Sequence, residues 1–290
     1  MKHQASHTFP FPLDAEIERN VAAALAEDIG PGDLTAALIA SGQQGKARVI
    51  CREEAVLCGR RWFESSFHAL DPALALAWQA DDGEALRAGQ TVCEISGTAR
   101  SILSGERCAL NFIQLLSGVA TQTRRHVEAV AGTRATIVDT RKTLPGLRLA
   151  QKYAVHAGGG GNHRLALWDA ILIKENHIAA AGGIGRALEA AAQIAAQSGG
   201  RCRFVQIEVE TLAELAEALD AGAKMILLDN FNIDELRAAV AETGGRAILE
   251  ASGGISLEQL RAVAETGVDR ISVGALTKDV RATDFSLRFE

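Results

Sequence analysis

Residues 139–177 carry an excess of positive charge. The segment reads DTRKTLPGLRLAQKYAVHAGGGGNHRLALWDAILIKENH and holds six lysines and arginines against three acidic residues, a net charge of +3. The whole protein carries −6, so the remaining residues carry −9. A cationic pocket in an acidic protein suits a small anion. Binding a phosphate polymer usually requires a broad basic face, which argues against nucleic acid as a partner.

Three histidines and a run of glycines lie among these charges. The histidines are His156, His163 and His177, and the glycine run is Gly158–Gly161. Glycine permits positive φ and close approach of the backbone to a ligand, but a plain flexible loop uses it equally well. His163 is open to two interpretations, a ligand of the anion or a structural histidine, while His156 and His177 receive no role.

The composition indicates a globular protein rich in aliphatic residues. The 290 residues suffice for two domains, or for one barrel with an appendage. Aromatic residues make up only 4%, so aliphatic side chains must fill the core, as in parallel α/β proteins. Neither a signal pattern nor a run of 18 apolar residues is present, so we expect a cytoplasmic protein without a membrane partner. The five cysteines lack metal-binding spacing and are expected to be reduced thiols.

The first part of the chain predicts an α+β domain. Residues 14–28 have the pattern of an amphipathic helix. Strand-like runs follow at 46–59, 74–80 and 91–99. Residues 103–131 form the longest helical stretch, and Gly118 in its middle suggests a division into two helices.

From residue 135 onward, strands and helices alternate. The six apolar runs are ATIVDT, AILIK, FVQIEVE, MILLDN, AILEASGG and RISVGA, and the helical segments between them include 185–198, 211–221, 232–243 and 256–266. Such alternation predicts a parallel sheet covered by helices. Six strands and a possible seventh favour a closed barrel over an open sheet. No GxGxxG follows a first strand, which counts against a dinucleotide-binding fold.

Polar residues follow these strands in series. A barrel of this kind places its active site at the carboxyl ends of its strands. The residues there are Asp139, Arg141, Lys142, Lys174, Glu208, Glu210, Asp229, Asn230, Glu250, Ser252, Gly253, Gly254 and Gly274. Arginine and lysine suit carboxylate or phosphate oxygens, the acids suit ribose hydroxyls or Mg²⁺, and the glycine loops suit a phosphate. Glu208 and Glu210 share a strand face, so spacing alone does not choose between them.

Several strings, in order, resemble the quinolinate phosphoribosyltransferase family. They are GDLTA (32–36), GERCALNF (105–112), DTRKTLPGLR (139–148), NHR (162–164), LIKENHI (172–178), IEVE (207–210), LLDNF (227–231), ASGGI (251–255) and SVGALT (272–277). The resemblance covers nearly the whole chain. Each string alone is weak, but the ordered combination is specific.

The resemblance implies a fold and a reaction. The fold is α/β: an N-terminal α+β domain (1–117), an incomplete parallel α/β barrel (118–277) and a tail (278–290) that returns to the first domain. The reaction joins quinolinate to phosphoribosyl pyrophosphate with Mg²⁺ and yields nicotinate mononucleotide, pyrophosphate and CO₂. The family also implies a homodimer with shared active sites, and higher oligomers stay open.

The resemblance also implies site residues. Thr140, Arg141, Lys142, His163, Arg164 and Lys174 match the cationic pocket for the quinolinate carboxylates and the pyrophosphate. Arg107 matches an arginine supplied by the partner subunit. Glu208 and Asp229 match the acidic pair around the ribose and metal, with Mg²⁺ held mainly through the pyrophosphate. Ser252, Gly253, Gly254 and Gly274 match the cradle of the 5′-phosphate. Lys142, Glu208 and Asp229 are the expected catalytic residues.

Two positions depart from the expected pattern. An acidic residue is expected where Gln151 stands, and aspartate where Glu175 stands. Both lie beside matched residues, so they bear on fine positioning and leave the reaction class unchanged.

Two other functions are compatible with parts of this pattern. One is a paralogue of the same fold linked to molybdenum transport, although the full cationic set argues against it. The other is a lysine-dependent aldolase or lyase barrel, because such barrels also end a strand in lysine, here Lys174. The arginines around Lys174 suit an anion better than a carbonyl.

Overall fold

The computed structural model describes residues 9–290, which form two compact units. The first unit contains the described residues up to Arg124 together with Leu144–Gly159 and Asp279–Glu290. The second contains Arg125–Thr143 and Gly160–Lys278. These units follow contacts within the chain and do not test the domain limits at 117 and 277, which stay a prediction.

The first unit combines helices with a four-stranded antiparallel sheet in the order β12-β1-β5-β3. With labels in chain order, its elements are α1 (Asp14–Asp28), a 3₁₀ turn (Ala36–Leu38), β1 (Gln44–Cys51), β2 (Ala55–Val56), α2 (Arg60–His68), β3 (Ala75–Trp78), β4 (Ala85–Leu86), β5 (Thr91–Thr98), α3 (Ala99–Ala129), α4 (Arg148–Ala157) and β12 (Phe285–Phe289). The predicted helix at 14–28 is confirmed. Of the three predicted strand-like runs, residues 46–59 cover most of β1 and all of β2, residues 74–80 contain β3, and residues 91–99 contain β5.

The core of this unit lies between the sheet and helices α2 and α3. Alternate residues of β1, such as Val49 and Cys51, are fully buried, as expected for a sheet with one covered face. They pack with Phe63 and Phe67 of α2 and with Ile113 of α3. Strand β12 pairs with β1, so the end of the chain completes this sheet.

The expected interruption of the long helix at Gly118 is wrong. Helix α3 continues unbroken from Ala99 to Ala129. A Cβ atom at Gly118 would lie only 2.4 Å from the main-chain oxygen of Arg281. Glycine therefore allows the irregular segment before β12 to pass close to the helix, and tertiary packing outweighs the low helix propensity of glycine.

We expect Gly118→Ala to destabilise the protein by about 1–3 kcal/mol, because the added methyl group overpacks a site bounded by backbone. The measurement is the free energy of unfolding in urea. Gly185→Ala is the matched control, since no atom lies within 4 Å of its added Cβ. Alanine there should be neutral or stabilise by up to about 1 kcal/mol. Equal effects at the two glycines would contradict the packing explanation.

The second unit is built on a six-stranded parallel sheet in the order β6-β11-β10-β9-β8-β7. Its elements are β6 (Thr136–Val138), β7 (Ile171–Ile173), α5 (Glu175–Ala181), α6 (Ile184–Gln197), β8 (Val205–Val209), α7 (Leu212–Asp220), β9 (Met225–Asp229), α8 (Ile233–Thr243), β10 (Ile248–Ser252), α9 (Leu260–Ala264), β11 (Arg270–Ser272) and α10 (Ala275–Lys278). Each of the six apolar runs contains one strand.

The sheet is an incomplete barrel, as the family resemblance implies. Strands β6 and β7 form its two edges and do not pair with each other. The closed barrel suggested by the strand count is therefore wrong. Gly161 makes a single parallel bridge to Val138 at the β6 edge, but no strand continues from it in the described residues.

The helices of this unit begin where the sequence places capping residues. The Asn232 side chain accepts from the main-chain N–H of Glu235, whose carboxylate accepts in return, so a capping box starts α8. The Thr211 side chain caps α7 in a similar way. The predicted helix at 256–266 is shorter than expected, because residues 256–259 form a turn before α9. Within residues 9–290, no helix meets the length and hydropathy required to cross a bilayer.

Candidate active site

A cavity of about 280 Å³ opens at the carboxyl ends of the parallel strands of the second unit. Each of the six strands contributes a lining residue, either within its last residues or just after its end. The lining residues are Thr140, Arg141, Lys142, His163, Arg164, Leu172, Lys174, Glu208, Leu227, Asp229, Glu250, Ser252 and Ser272. Nine of the thirteen site residues that the family resemblance implies thus meet in one place.

Three cations of this pocket form no ion pair within the described residues. They are Arg141, Lys142 and Arg164. By contrast, Arg134, Arg203 and Arg270 of the same unit have acidic partners. Burial lowers the pKa of Arg164, and the neighbouring Arg141 lowers it further, against the opposite effect of Asp169 and Glu208. The buried Nε of Arg141 has no hydrogen-bond partner. Unpaired, partly desolvated cations of this kind are stabilised by an anionic ligand.

Lys174 is already paired inside the pocket. Its Nζ donates to both oxygens of Glu208, at 2.8 and 2.7 Å. Glu208 is largely buried, and Glu210 on the same strand face is exposed and outside the lining. The pair therefore fixes one carboxylate and one ammonium group in the wall of the cavity.

His177, which received no role from the sequence, holds the main chain at Lys174. Its Nδ1 accepts a hydrogen bond from the Lys174 N–H at 3.0 Å, so the imidazole caps the first turn of α5. This contact orients the end of β7, from which the Lys174 side chain enters the cavity. Glu175 is exposed, and its carboxylate accepts from the Asn176 side chain.

Both ring nitrogens of His163 are engaged. Nδ1 accepts from the main-chain N–H of Arg164 at 2.7 Å, and Nε2 lies 2.7 Å from Oε1 of Gln206. Nε2 also lies 3.6 Å from a carboxylate oxygen of Glu250. The His163 main-chain N–H donates to the buried carboxylate of Asp139. His163 therefore sits in the pocket wall with its polar atoms directed at protein groups.

The end of β9 adopts an uncommon backbone conformation. Asn230 has φ 59°, the one positive φ at a non-glycine residue among residues 9–290. Its N–H donates to the Ser252 main-chain oxygen, and its side chain donates to the Asp229 carboxylate at 2.8 Å. A Cβ atom at Gly253 would lie 2.3 Å from the Asn230 side-chain oxygen. The left-handed turn and the glycine together position Asp229, which is consistent with strain concentrated at a functional site.

Gly274 provides space for Lys142. A Cβ atom at position 274 would lie 2.9 Å from Cδ of Lys142 and 3.5 Å from the Thr140 hydroxyl. The Thr140 hydroxyl accepts from the Lys142 N–H, and the Thr277 hydroxyl donates to the Lys142 main-chain oxygen. The loop after β11 thus supports the loop after β6.

Four proposed residues lie outside the cavity lining. Gly253, Gly254 and Gly274 stand at the strand ends beside lining residues, while Arg107 is exposed on α3 in the first unit. Whether these residues contact a ligand stays a prediction.

The cationic segment 139–177 divides between the two units. Residues 144–159 belong to the first unit, so Arg148 and Lys152 do not line the pocket, and Lys152 is fully buried. A Cβ atom at Gly158 would lie 2.5 Å from the Ala120 main-chain oxygen. That glycine therefore serves helix packing and not a ligand. Gln151 is buried in the same unit, where its side chain accepts from the Leu144 N–H.

The sequence reasoning left Glu250 without a role and missed Ser272. Glu250 is fully buried in the pocket wall, with Arg270 Nε at 3.2 Å from one carboxylate oxygen. Ser272 is the last residue of β11. Period-two alternation would have linked Glu250 to Ser252 on the same strand face, and the position of Ser272 at a strand end would have found it.

The described residues contain no cluster of three or more metal-binding side chains. In the pocket, Glu208 is paired with Lys174 and Glu250 is fully buried beside Arg270, so Asp229 is the remaining carboxylate of the lining. This donor set fits Mg²⁺, which commonly binds through one or two carboxylates and otherwise through substrate phosphates.

Two family models together cover most of the chain. The N-terminal domain of quinolinate phosphoribosyl transferase matches residues 33–117, and the C-terminal domain matches residues 119–288. The chain belongs to the quinolinate phosphoribosyltransferase family. The pocket described above lies within the segment that matches the C-terminal domain.

Similar proteins carry related names. A probable nicotinate-nucleotide pyrophosphorylase [carboxylating] of Bacillus subtilis is 44% identical over 90% of this chain and 89% of its own length. Quinolinate phosphoribosyltransferase [decarboxylating] 1 of Nicotiana glauca is 39% identical over 92% of this chain and 80% of its own length. The solved structure of the nicotinate-nucleotide pyrophosphorylase from Francisella tularensis is 44% identical, covers 97% of this chain and 98% of its own, and superposes with a TM-score of 0.92.

Proposed function

We propose that this member of the quinolinate phosphoribosyltransferase family transfers a phosphoribosyl group from phosphoribosyl pyrophosphate to quinolinate, with loss of CO₂. The products are nicotinate mononucleotide, pyrophosphate and CO₂, so the chain is a pentosyltransferase of NAD biosynthesis. The observation that carries this proposal is the group of three unpaired cations beside the Lys174–Glu208 pair. Two substrates rich in carboxylate and phosphate would neutralise those cations.

The substrates divide the pocket by charge. Thr140, Arg141, Lys142, Arg164 and Lys174 form the side that receives the quinolinate carboxylates and the pyrophosphate, and His163 lies in its wall. Glu208 and Asp229 face the ribose. Ser252, Gly253, Gly254 and Gly274 form the side for the 5′-phosphate, where backbone N–H groups suit phosphate oxygens.

The reaction requires charge stabilisation and orientation more than covalent catalysis. The bond from C1′ to the pyrophosphate oxygen breaks, and pyrophosphate leaves with the electron pair while positive charge develops on the sugar. The quinolinate nitrogen then bonds to C1′ and becomes a pyridinium. The bond between C2 and its carboxylate breaks, CO₂ departs, and the pyridinium stabilises the electron pair left at C2 until a proton arrives from water.

The cations and the acidic pair have separate parts in this scheme. Lys142, on the exposed rim of the pocket, neutralises the departing pyrophosphate. Glu208 and Asp229 supply negative charge beside the sugar. Bound Mg²⁺ would supply positive charge to the pyrophosphate. Asp229 is the carboxylate that would hold the ion, because Glu208 is paired with Lys174.

We also propose that the active form is a homodimer in which Arg107 enters the pocket of the partner subunit. Arg107 is exposed on α3 and forms no ion pair in the described residues, so it is available for such a contact. Closed dimers are the commonest homo-oligomers. A cytoplasmic location is proposed as well, because all five cysteines are free thiols.

The two alternative functions have less support. A Schiff-base lysine needs a free amine to attack a carbonyl, whereas the Lys174 Nζ is engaged by both carboxylate oxygens of Glu208. Borohydride with a carbonyl substrate should therefore not trap a Lys174 adduct. Calorimetry with quinolinate distinguishes the proposed enzyme from the paralogue linked to molybdenum transport. Only the proposed enzyme is required to bind quinolinate.

The direct test is an assay of the purified protein with quinolinate, phosphoribosyl pyrophosphate and Mg²⁺. We expect nicotinate mononucleotide, pyrophosphate and CO₂ in equal amounts, detected by chromatography and by release of labelled CO₂ from the 2-carboxylate. Omission of either substrate is the control. Absence of nicotinate mononucleotide from a folded protein that contains Mg²⁺ would reject the proposal.

A further inference from the structure

The hydrogen bonds of His163 determine which of its nitrogens carries the proton. A main-chain N–H can only donate, so the 2.7 Å contact from the Arg164 N–H requires a lone pair on Nδ1. The ring proton is then on Nε2, which donates to Oε1 of Gln206 at 2.7 Å. His163 is therefore a neutral imidazole with its one proton on Nε2.

This arrangement leaves the imidazole without an N–H for a substrate anion. The ring is 5% exposed and packs edge-on against Phe204. Its polar atoms connect the loop that carries Arg164 to strand β8, which carries Gln206 and Glu208. The contribution of His163 to the pocket is consequently the position of the Arg164 main chain.

Gln206 is the group that holds the His163 ring in this position. It is fully buried on β8 and supplies a neutral acceptor for the Nε2 proton. The other acceptor near Nε2 is Glu250 on β10, at 3.6 Å and fully buried, with Arg270 of β11 on its other side. Without Gln206, the Nε2–H would have no acceptor within hydrogen-bond distance, and the ring would have to move to reach the Glu250 carboxylate. That movement would take Nδ1 away from the Arg164 N–H.

We infer that Gln206 is a positioning residue for the anion pocket: it holds the His163 ring where Nδ1 accepts from the Arg164 N–H and, through that ring, it places the Arg164 main chain. The position of Gln206 is unusual for an amide, because it is a fully buried strand position. Buried polar groups are retained where their hydrogen bonds specify a local geometry. The identity of the ligand in this inference rests on the proposed function, but the tautomer does not.

The test compares Gln206→Met, which removes the acceptor at similar volume, with Gln206→Glu, which keeps an acceptor oxygen in place. Histidine nitrogens are labelled with ¹⁵N, and His163 is assigned with a His163→Asn variant. The wild-type protein should show a protonated Nε2 and an unprotonated Nδ1 at pH 7. Gln206→Met should lose this signature, and Gln206→Glu should retain it.

Quinolinate binding, measured by calorimetry on each variant, gives the functional result. We expect the Kd of Gln206→Met to rise by at least about tenfold, since a displacement of about 1 Å at a binding group costs up to about 100-fold. Gln206→Glu should stay within a few-fold of wild type. Thr243→Val is the control, because it also removes a buried polar atom in the second unit but lies on α8, outside the pocket.

Defined outcomes overturn the inference. It fails if Gln206→Met keeps the wild-type His163 signature and binds quinolinate normally, or if Gln206→Glu loses binding as fully as Gln206→Met. Should wild type not bind quinolinate, the proposed function fails while the ¹⁵N comparison still tests the tautomer. A Gln206→Met protein that does not fold leaves Gln206→Glu to decide, which must then retain both the signature and the binding.

Discussion

Lys142→Ala is expected to lower kcat/KM by about 10²–10³-fold and to leave the unfolding temperature unchanged. Lys142 lies on the exposed rim of the pocket and has no ion pair in the described residues, so the folded state loses little when its charge is removed. The transition state loses more, because positioned charges opposite a departing anion are worth several kcal/mol in a partly desolvated site. Steady-state kinetics with both substrates and a thermal unfolding curve measure the two effects.

Two further variants test whether the effect comes from the charge of Lys142 at the pocket. Lys142→Arg preserves the charge and should retain a substantial part of the activity, although an ammonium and a guanidinium differ in geometry. Lys224→Ala removes another exposed lysine of the second unit, just before β9 and so at the opposite end of the strands. Lys224→Ala should leave kcat/KM unchanged. A Lys142→Ala enzyme within threefold of wild type would show that this lysine does not face the leaving group.

Mixing inactive Arg107→Ala and Lys142→Ala proteins is expected to restore activity to about a quarter of the wild-type level. In a two-fold symmetric dimer with shared sites, half of the randomly reassociated dimers combine one chain of each kind. One site of such a dimer then carries both defects, and the other carries neither. The measurement is activity after dissociation and reassociation, with exchange verified by mass spectrometry of differently labelled subunits.

The control mixture joins Lys142→Ala with Arg141→Ala. Both residues line the same pocket of one chain, so every mixed dimer has a defect in each site and activity should not return. Recovery in this control would point to an assay artefact. Verified exchange without recovery in the Arg107 mixture would contradict a site completed by the partner subunit.

Most of the pocket could be read from the sequence because its geometry follows from local patterns. Alternating apolar runs and helices predict a parallel sheet, and parallel strands bring their carboxyl ends to one edge. Lys174, Glu208 and Asp229 stand at such ends and meet as predicted. The same rule, applied to the end of β11, would also have included Ser272.

Other features depended on contacts between distant parts of the chain. From the sequence alone, Gly118 predicts a break in the helix. The structure shows that this glycine instead leaves room for the main chain of Arg281. Lys152 resembles a pocket cation, but its helix α4 belongs to the first unit. Strand number suggested closure, yet the edges β6 and β7 do not pair. Local patterns contain no information about which distant backbone fills a given space.

The sequence alone determined the α/β class, the order of the strands along the chain, the family and the charges available to bind anions. These depend on residue type and spacing, which hydrophobic periodicity and strand direction convert into structure. Tertiary structure decided which charges remain unpaired. Lys174 forms an ion pair with Glu208, while Arg141, Lys142 and Arg164 have no acidic partner in the described residues. Tertiary structure also decided the tautomer of His163. Both depend on hydrogen-bond distances between residues far apart in the chain, and such distances exist only once the chain has folded.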